Sequence, residues 1–196
     1  SEQRQPAPAL GDQDAPFVLS LGTVERRKNL PPLVGAFARV AAEHPTVLLR
    51  IAGRDGDDAP ALAAALDRLR PDVRSRVVRH PTVDEPVKRW LLDRATVLAY
   101  PSLDEGFGFP ILEAQQAGTP VVASAAGSIP EVAGTGALLS LPTDEDALAA
   151  NLFWAIDSPA KRDELIERGH ANVERFSWRQ TATTLTTLYL RLAREV

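Results

Sequence analysis

The chain has 196 residues, 44% of them hydrophobic and 24% charged, with a formal net charge of −4 and no cysteine. A chain of this size buries enough apolar surface to fold as one domain without staples. The lack of cysteine excludes a disulfide framework, a thiolate metal site and a cysteine nucleophile, and the acidic balance argues against nucleic acid, whose binding needs a basic surface.

Ser1 to Ala15 is polar and proline-bearing, without a signal-peptide pattern, and is expected to be a flexible tail or linker. The packed domain is expected over residues 16–196. No apolar run approaches the roughly 20 residues that span a bilayer. The chain contains no methionine, even at position 1. That fits removal of methionine ahead of serine, and equally a piece cut from a longer polypeptide.

From Phe17 to Gly22 the residues read as a strand ending in glycine, followed by a helix over Leu30–Glu43 with Leu33, Val34, Phe37 and Val40 at helical spacing. Val47 to Gly53 predicts a second strand, and Ala59 to Leu69 a second helix. A short third strand lies around Val77 and Val78, with a helix from about Asp84. Thr96 to Tyr100 predicts a fourth strand, stopped by Pro101. Pro110 to Gln116 predicts a short helix that Gly118 ends. Pro120–Ser124 and Ala137–Leu141 predict two more strands. Three helices near 145–156, 160–174 and 178–194 close the chain. Ser128, Thr143 and Ser177 each precede an acidic or amide residue by three, the signature of a capped helix start. Strands alternating with helices predict right-handed βαβ units. The expected fold is α/β: a single Rossmann-like domain with a mostly parallel six-stranded sheet flanked by helices.

In such sheets ligands bind at the carboxyl ends of the strands. The turn after the fourth predicted strand, Asp104-Glu-Gly-Phe-Gly-Phe-Pro-Ile-Leu-Glu113, carries the densest chemistry. Gly106 and Gly108 let backbone approach a ligand, and Pro110 suits the first turn of the next helix, whose amides attract phosphate. Glu105 and Glu113 would repel a diphosphate, but suit sugar hydroxyls as acceptors. Arg27 and Lys28, just before a helix, oppose its dipole and make better sense with an anion between them.

These segments, together with Asn29, Pro101-Ser102, Gly118-Thr-Pro-Val-Val, Gly127-Ser-Ile-Pro-Glu131 and Phe176-Ser-Trp178, resemble retaining GT-B glycosyltransferases of family 4. The resemblance runs from about Phe17 to the C-terminus. It implies that Glu105 contacts the donor sugar and Glu113 the nucleotide ribose. It implies that Gly106, Phe107, Gly108 and Phe109 contact sugar and diphosphate, with Gly22, Ile111 and Leu112 also lining the donor. Arg27 and Lys28 match the basic pair that neutralises the leaving diphosphate. His80, Thr82 and Val83 match the base-contacting turn loosely. Thr23 departs from the arginine that many members carry after the first glycine.

The same resemblance implies a nucleotide-diphosphate sugar as donor, GDP-mannose first and a UDP-sugar second, and no metal or other cofactor. The chain corresponds to the C-terminal, donor-binding half of a GT-B fold, so the partner expected is an N-terminal acceptor domain of a longer parent. By itself the chain is expected to bind donor without transferring sugar. The parent is expected in the cytoplasm, with peripheral attachment to the inner membrane face left open.

Rival readings weigh the same residues differently. A glycoside hydrolase would use Glu105 and Glu113 as acid and nucleophile, about 5–9 Å apart across a glycosidic bond. A non-catalytic nucleotide-binding module would keep the cradle without turnover. Asp55-Gly-Asp57 imitates a metal motif but reads more simply as an exposed turn. His44 and His170 read as surface residues. One of Phe107 and Phe109 is expected in the core, since alternate residues of an extended loop face opposite ways. The last helix is expected to expose Leu185, Leu188 and Leu192 as an apolar strip.

Overall fold

The computed structural model describes residues 14–193; nearly all of the tail expected over 1–15 lies outside them. Six strands form one sheet: β1 (Phe17–Leu21), β2 (Leu48–Ala52), β3 (Val77–His80), β4 (Val97–Tyr100), β5 (Val121–Ser124) and β6 (Ala137–Ser140). All pairings are parallel, in the order β3-β2-β1-β4-β5-β6. The chain therefore reverses its direction of growth between β1 and β4. That switch point is where an open α/β sheet leaves a crevice.

Both faces of the sheet are covered. On one side α1 (Leu30–Glu43), α2 (Ala59–Asp67) and α7 (Glu145–Asp157) bury Val18, Leu49, Ile51, Val97 and Val122. The other face buries Phe17, Leu19, Leu98, Tyr100 and Val121 beneath α4 (Glu85–Arg94), α5 (Phe109–Ala117) and α6 (Ile129–Ala133). Double coverage explains strands that are apolar at consecutive positions instead of alternating. Two further helices, α3 (Pro71–Arg74) and α8 (Pro159–Val173), pack at the periphery, α8 against α5 and α7.

The last helix, α9 (Trp178–Leu192), has no buried residue. Leu185, Leu188, Tyr189, Leu190 and Leu192 are all exposed on it. The expected apolar strip is therefore present and uncovered among the described residues.

The six-stranded parallel sheet expected from the sequence is present, with every pairing parallel. Several local expectations need correction. Asp144, not Thr143, caps α7, accepting from the Ala147 amide. Ser128 caps nothing: its hydroxyl donates to the carbonyls of Glu105 and Phe107. A hydroxyl can serve either role, and here it serves the carbonyls of the loop lying over it. Ser177 does cap α9, through the Gln180 amide.

Three buried polar side chains carry no periodic signal. Arg50, central in β2, is 0% exposed. Its guanidinium lies 4.9 Å from the Phe17 ring centroid and 5.9 Å from that of Trp90. A flat, weakly hydrated cation tolerates aromatic faces where an ammonium would not. Gln115 and Asn172 tie three helices together: Asn172 donates to Gln115 Oε1 (2.8 Å) and the Val132 carbonyl (2.8 Å). Gln115 in turn donates to the Ala133 carbonyl at 2.9 Å.

Candidate functional site

The parallel register aligns strand ends. Leu21 pairs with Ala52 and Ala52 with His80, and the ladder continues one step through Gly22 N to the Ala52 carbonyl and Gly53 N to the His80 carbonyl. Gly53 sits at φ +145, and a Cβ there would lie 1.9 Å from the Gly22 carbonyl oxygen. The two turns are thus in backbone contact. Beyond them the chain forms a short 3-10 turn at Arg26–Lys28, and Asn29 follows in the left-handed region at φ 54. Asn29 donates to the carbonyls of Pro101 (3.1 Å) and Pro142 (2.9 Å). That clamps the turn after β1 onto the turn after β4.

The clamp brings Lys28 and Glu105 together. Lys28 is only 7% exposed. Its Nζ donates to Glu105 Oε1 at 2.5 Å and to Tyr100 Oη at 2.7 Å. Arg27, exposed at the rim, reaches Glu105 Oε2 at 2.6 Å and Glu25 at 2.8 Å. Ser102 Oγ adds a third donor to Glu105, at 2.9 Å. The Glu105 carboxylate therefore lies between Arg27 and Lys28.

Electrostatics follow from burial set against partners. Burial opposes the charge on Glu105, yet hydrogen bonds from Lys28 and Ser102 and the Lys28 charge hold its carboxyl below the usual range. For Lys28 burial prevails, and its ammonium is easier to deprotonate than a surface lysine. Arg27 is shifted upward: burial opposes, but Glu105 and Glu25 outweigh it. Tyr100 is pushed far up, first by burial and then by the Glu105 carboxylate, so its phenol stays protonated.

A carboxyl held below its ordinary value of 4.5 stabilises the fold while ionised and loses that contribution as protons return. The Glu105 contribution is whole at neutral pH and drains below about pH 4.5. Glu105→Gln is therefore expected to melt earlier than wild type at neutral pH, with the gap closing in acid. Thermal denaturation between neutral and acidic buffers measures this; a gap constant across the range would show that the carboxylate is not the paired species.

The glycine-rich loop feeds α5. Gly108, at φ +105, is its N-cap, Pro110 lies in its first turn, and Gly118 ends it in the left-handed region. The first amides of a helix have no acceptor one turn back, and at the second position Pro110 has no amide to offer. The Ile111 amide is already bonded to the Gly108 carbonyl, and its side chain is in the core. Leu112 is half-buried. Gly106 is exposed, with nothing within 4 Å of a Cβ placed on it.

Neither phenylalanine of the loop is fully buried: Phe107 is half-buried and Phe109 51% exposed. Their rings are 4.7 Å apart, Phe107 meets Phe176 edge-on, and Phe109 stacks on Trp178. The loop's aromatics cluster with the entry to α9 instead of dividing between core and solvent.

Glu113 lies apart from the Lys28 cluster. It accepts from Lys88 Nζ at 2.9 Å, and Lys88 also meets Glu85 at 3.0 Å. Together they line a groove of about 220 Å³ between α4 and α5. The two glutamates thus answer to different cations. A hydrolytic acid needs a carboxyl raised toward neutrality, and Glu105 is displaced the other way.

The third-strand turn is more closed than expected. His80 belongs to β3 and is buried, its Nε2 3.3 Å from Arg50 NH1. Burial, then the Arg50 charge, lowers its pKa. Thr82 is exposed, and Val83 packs partly on the core. Asp55 is held by Arg79 at 2.6 Å and Asp57 accepts from the Arg26 amide at 3.1 Å, so both serve the turns. His44 is not free at the surface; it meets Asp157 at 3.1 Å and the Phe153 ring.

Sequence reasoning assigned no site role to Tyr100, Ser102 or Lys88. The first two flank Pro101 at the strand end, a position that could have marked them.

Comparison with known proteins bears on this arrangement. The sequence pattern described as "Glycosyl transferases group 1" matches residues 1–172. O-antigen chain mannosyltransferase B of Escherichia coli is 33% identical over 181 residues, covering 88% of this chain and 45% of that protein. The MMP alpha-(1->4)-mannosyltransferase of Mycolicibacterium hassiacum is 44% identical over 103 residues, half of this chain and 25% of its own length. The chain spans less than half the length of these curated relatives. Among solved structures, sucrose-phosphate synthase of Thermosynechococcus elongatus superposes with a TM-score of 0.82 at 28% identity, over 94% of this chain and 47% of that one. The C-terminal domain of a glycosyl transferase group 1 protein of Francisella tularensis matches in fold, with a TM-score of 0.75 at 18% identity, over 89% of this chain and 93% of that one.

Proposed function

The chain belongs to the glycosyl transferases group 1 family, and from that premise we propose that it is the donor-binding half of a retaining GT-B enzyme of family 4. The observation that carries this reading is the convergence of Lys28 and Arg27 on one carboxylate at the sheet's switch point, beside the first turn of α5. Two cations held around an anion, next to the N-terminus of a helix, suit a diphosphate.

In the proposed reaction a sugar passes from a nucleotide-diphosphate donor to a hydroxyl acceptor with its anomeric configuration kept. The donor's diphosphate takes the place of Glu105 between Lys28 and Arg27. Glu105, released, accepts hydroxyl groups of the sugar, and Glu113 accepts those of the ribose once Lys88 turns aside. As the glycosidic bond breaks, negative charge grows on the β-phosphate, where fixed cations and amides stabilise it. That phosphate then takes the acceptor's proton. Protein cations supply this stabilisation, so no metal is required. GDP-mannose is the first donor proposed and a UDP-sugar the second; the mannosyltransferase names of two relatives support mannose as the sugar.

The acceptor site belongs to a second domain of a longer parent, against which the apolar strip of α9 packs. No helix among the described residues is long and apolar enough to cross a membrane. We place the parent in the cytoplasm.

Thermal shift with GDP, UDP, ADP, the matching monophosphates and nucleosides tests the reading. One diphosphate near a hundred times its Kd should stabilise by about 2.7 kcal/mol, a rise of roughly 5–10 °C for this size. Its nucleoside should give little. Equal shifts from nucleoside and diphosphate, or none from any nucleotide, would sink the proposal. Sugar transfer by this chain alone would overturn its division of labour.

A further inference from the structure

Lys28 has a second partner that the proposed chemistry leaves unused. Tyr100 closes β4 and is 2% exposed. Its hydroxyl accepts from Lys28 Nζ at 2.7 Å, and the Nζ lies 4.5 Å from the ring centroid. The missing side chain of Gly22 makes room for the lysine stem: a Cβ there would stand 3.2 Å from Lys28 Cε. The ammonium is therefore aimed by Gly22 and Tyr100 before any ligand arrives.

An incoming diphosphate competes with Glu105 for Lys28, anion against anion. It does not compete with a neutral hydroxyl seated on the buried side. We propose that Tyr100 is a positioning residue of the phosphate site, holding Lys28 Nζ in place and protonated while Glu105 and the diphosphate exchange as its counter-ion. The inference rests on the donor-site reading above. Without the hydroxyl, a buried ammonium loses an acceptor, and desolvation then favours the neutral amine. The charged and titratable groups facing Lys28 are Glu105, Arg27, Glu25 and Tyr100 itself. In the pH range of interest Tyr100 stays protonated, so a change at high pH belongs to Lys28.

Tyr100→Phe removes one oxygen and keeps the ring under the ammonium. Calorimetric titration with GDP, or whichever nucleoside diphosphate the thermal screen selects, is expected to show about tenfold weaker binding. The pH at which affinity falls away on the alkaline side should also move lower. NMR titration of the Lys28 side chain reads the same shift without ligand, and remains informative should binding be too weak to measure. A uniform loss of affinity with the alkaline limb and the Lys28 titration unmoved would assign Tyr100 a packing role and overturn the proposal. So would unchanged affinity. Lys28→Met separates the two readings: if that variant binds diphosphate normally, the donor site itself is misplaced. If it binds poorly while Tyr100→Phe matches wild type, only the role of Tyr100 falls.

Discussion

Lys28→Met is expected to weaken nucleoside diphosphate binding by about a hundredfold while leaving binding of the bare nucleoside unchanged. A hydrogen bond to a charged group is worth about 1.5–3 kcal/mol, and each 1.4 kcal/mol is a factor of ten. Lys28 belongs at the upper end, because its ammonium is buried and pre-aimed. Methionine keeps most of the stem's volume and loses the charge together with its N–H donors to Glu105 and Tyr100. The variant also leaves Glu105 with Arg27, Ser102 and the Tyr100 hydroxyl but without its buried cation, so some loss of stability should accompany the loss of affinity. Removing one member of a buried pair costs more than removing both. The double variant Lys28→Met, Glu105→Gln should therefore regain stability without regaining diphosphate affinity. Calorimetry and chemical denaturation on the three variants separate the effects. Restored affinity in the double variant would mean that the cation acts only by neutralising Glu105.

Gly53→Ala is expected to destabilise the fold by about 3 kcal/mol, lowering Tm by roughly 6–12 °C. Two costs coincide there. A side chain at φ +145 is strained, and its Cβ would fall inside the Gly22 carbonyl. The obstacle is the backbone of the turn after β1, so relief requires moving the turns after β1 and β2 together. Gly106→Ala is the control within the same site: it meets nothing within 4 Å, and its stability should stay within about 0.5 kcal/mol of wild type. Urea denaturation of the pair decides the matter, and equal stability of both variants would show that the turns are not in contact.

The site's behaviour comes from pairings over long sequence separations. Lys28 and Glu105 are 77 residues apart, and Arg27 and Glu105 are 78 apart. Each is an ordinary charged residue beside a turn when taken alone. The sequence marks Glu105 and Glu113 as a set because they bracket a glycine-rich loop. The structure divides them, placing Glu105 under Lys28 and Glu113 against Lys88 on a neighbouring helix. Phe107 and Phe109 show the same limit. Alternation places them on opposite sides, but the helix entry at Phe176 and Trp178 gathers both into one cluster.

By itself the sequence determined the kinds of element, their order and the loop that carries the chemistry. Those depend on apolar periodicity, capping and glycine placement, which act over a few residues, and they held to within a residue or two in most elements. The tertiary structure alone decided the strand order, the burial of Arg50 among aromatic rings, the Gln115–Asn172 tie and the partner of each cation. Such features arise where segments far apart in the chain meet at a common depth. No local pattern records them, because a buried ammonium and a solvated one are the same residue until the sheet's switch point brings Tyr100 and Glu105 to its side.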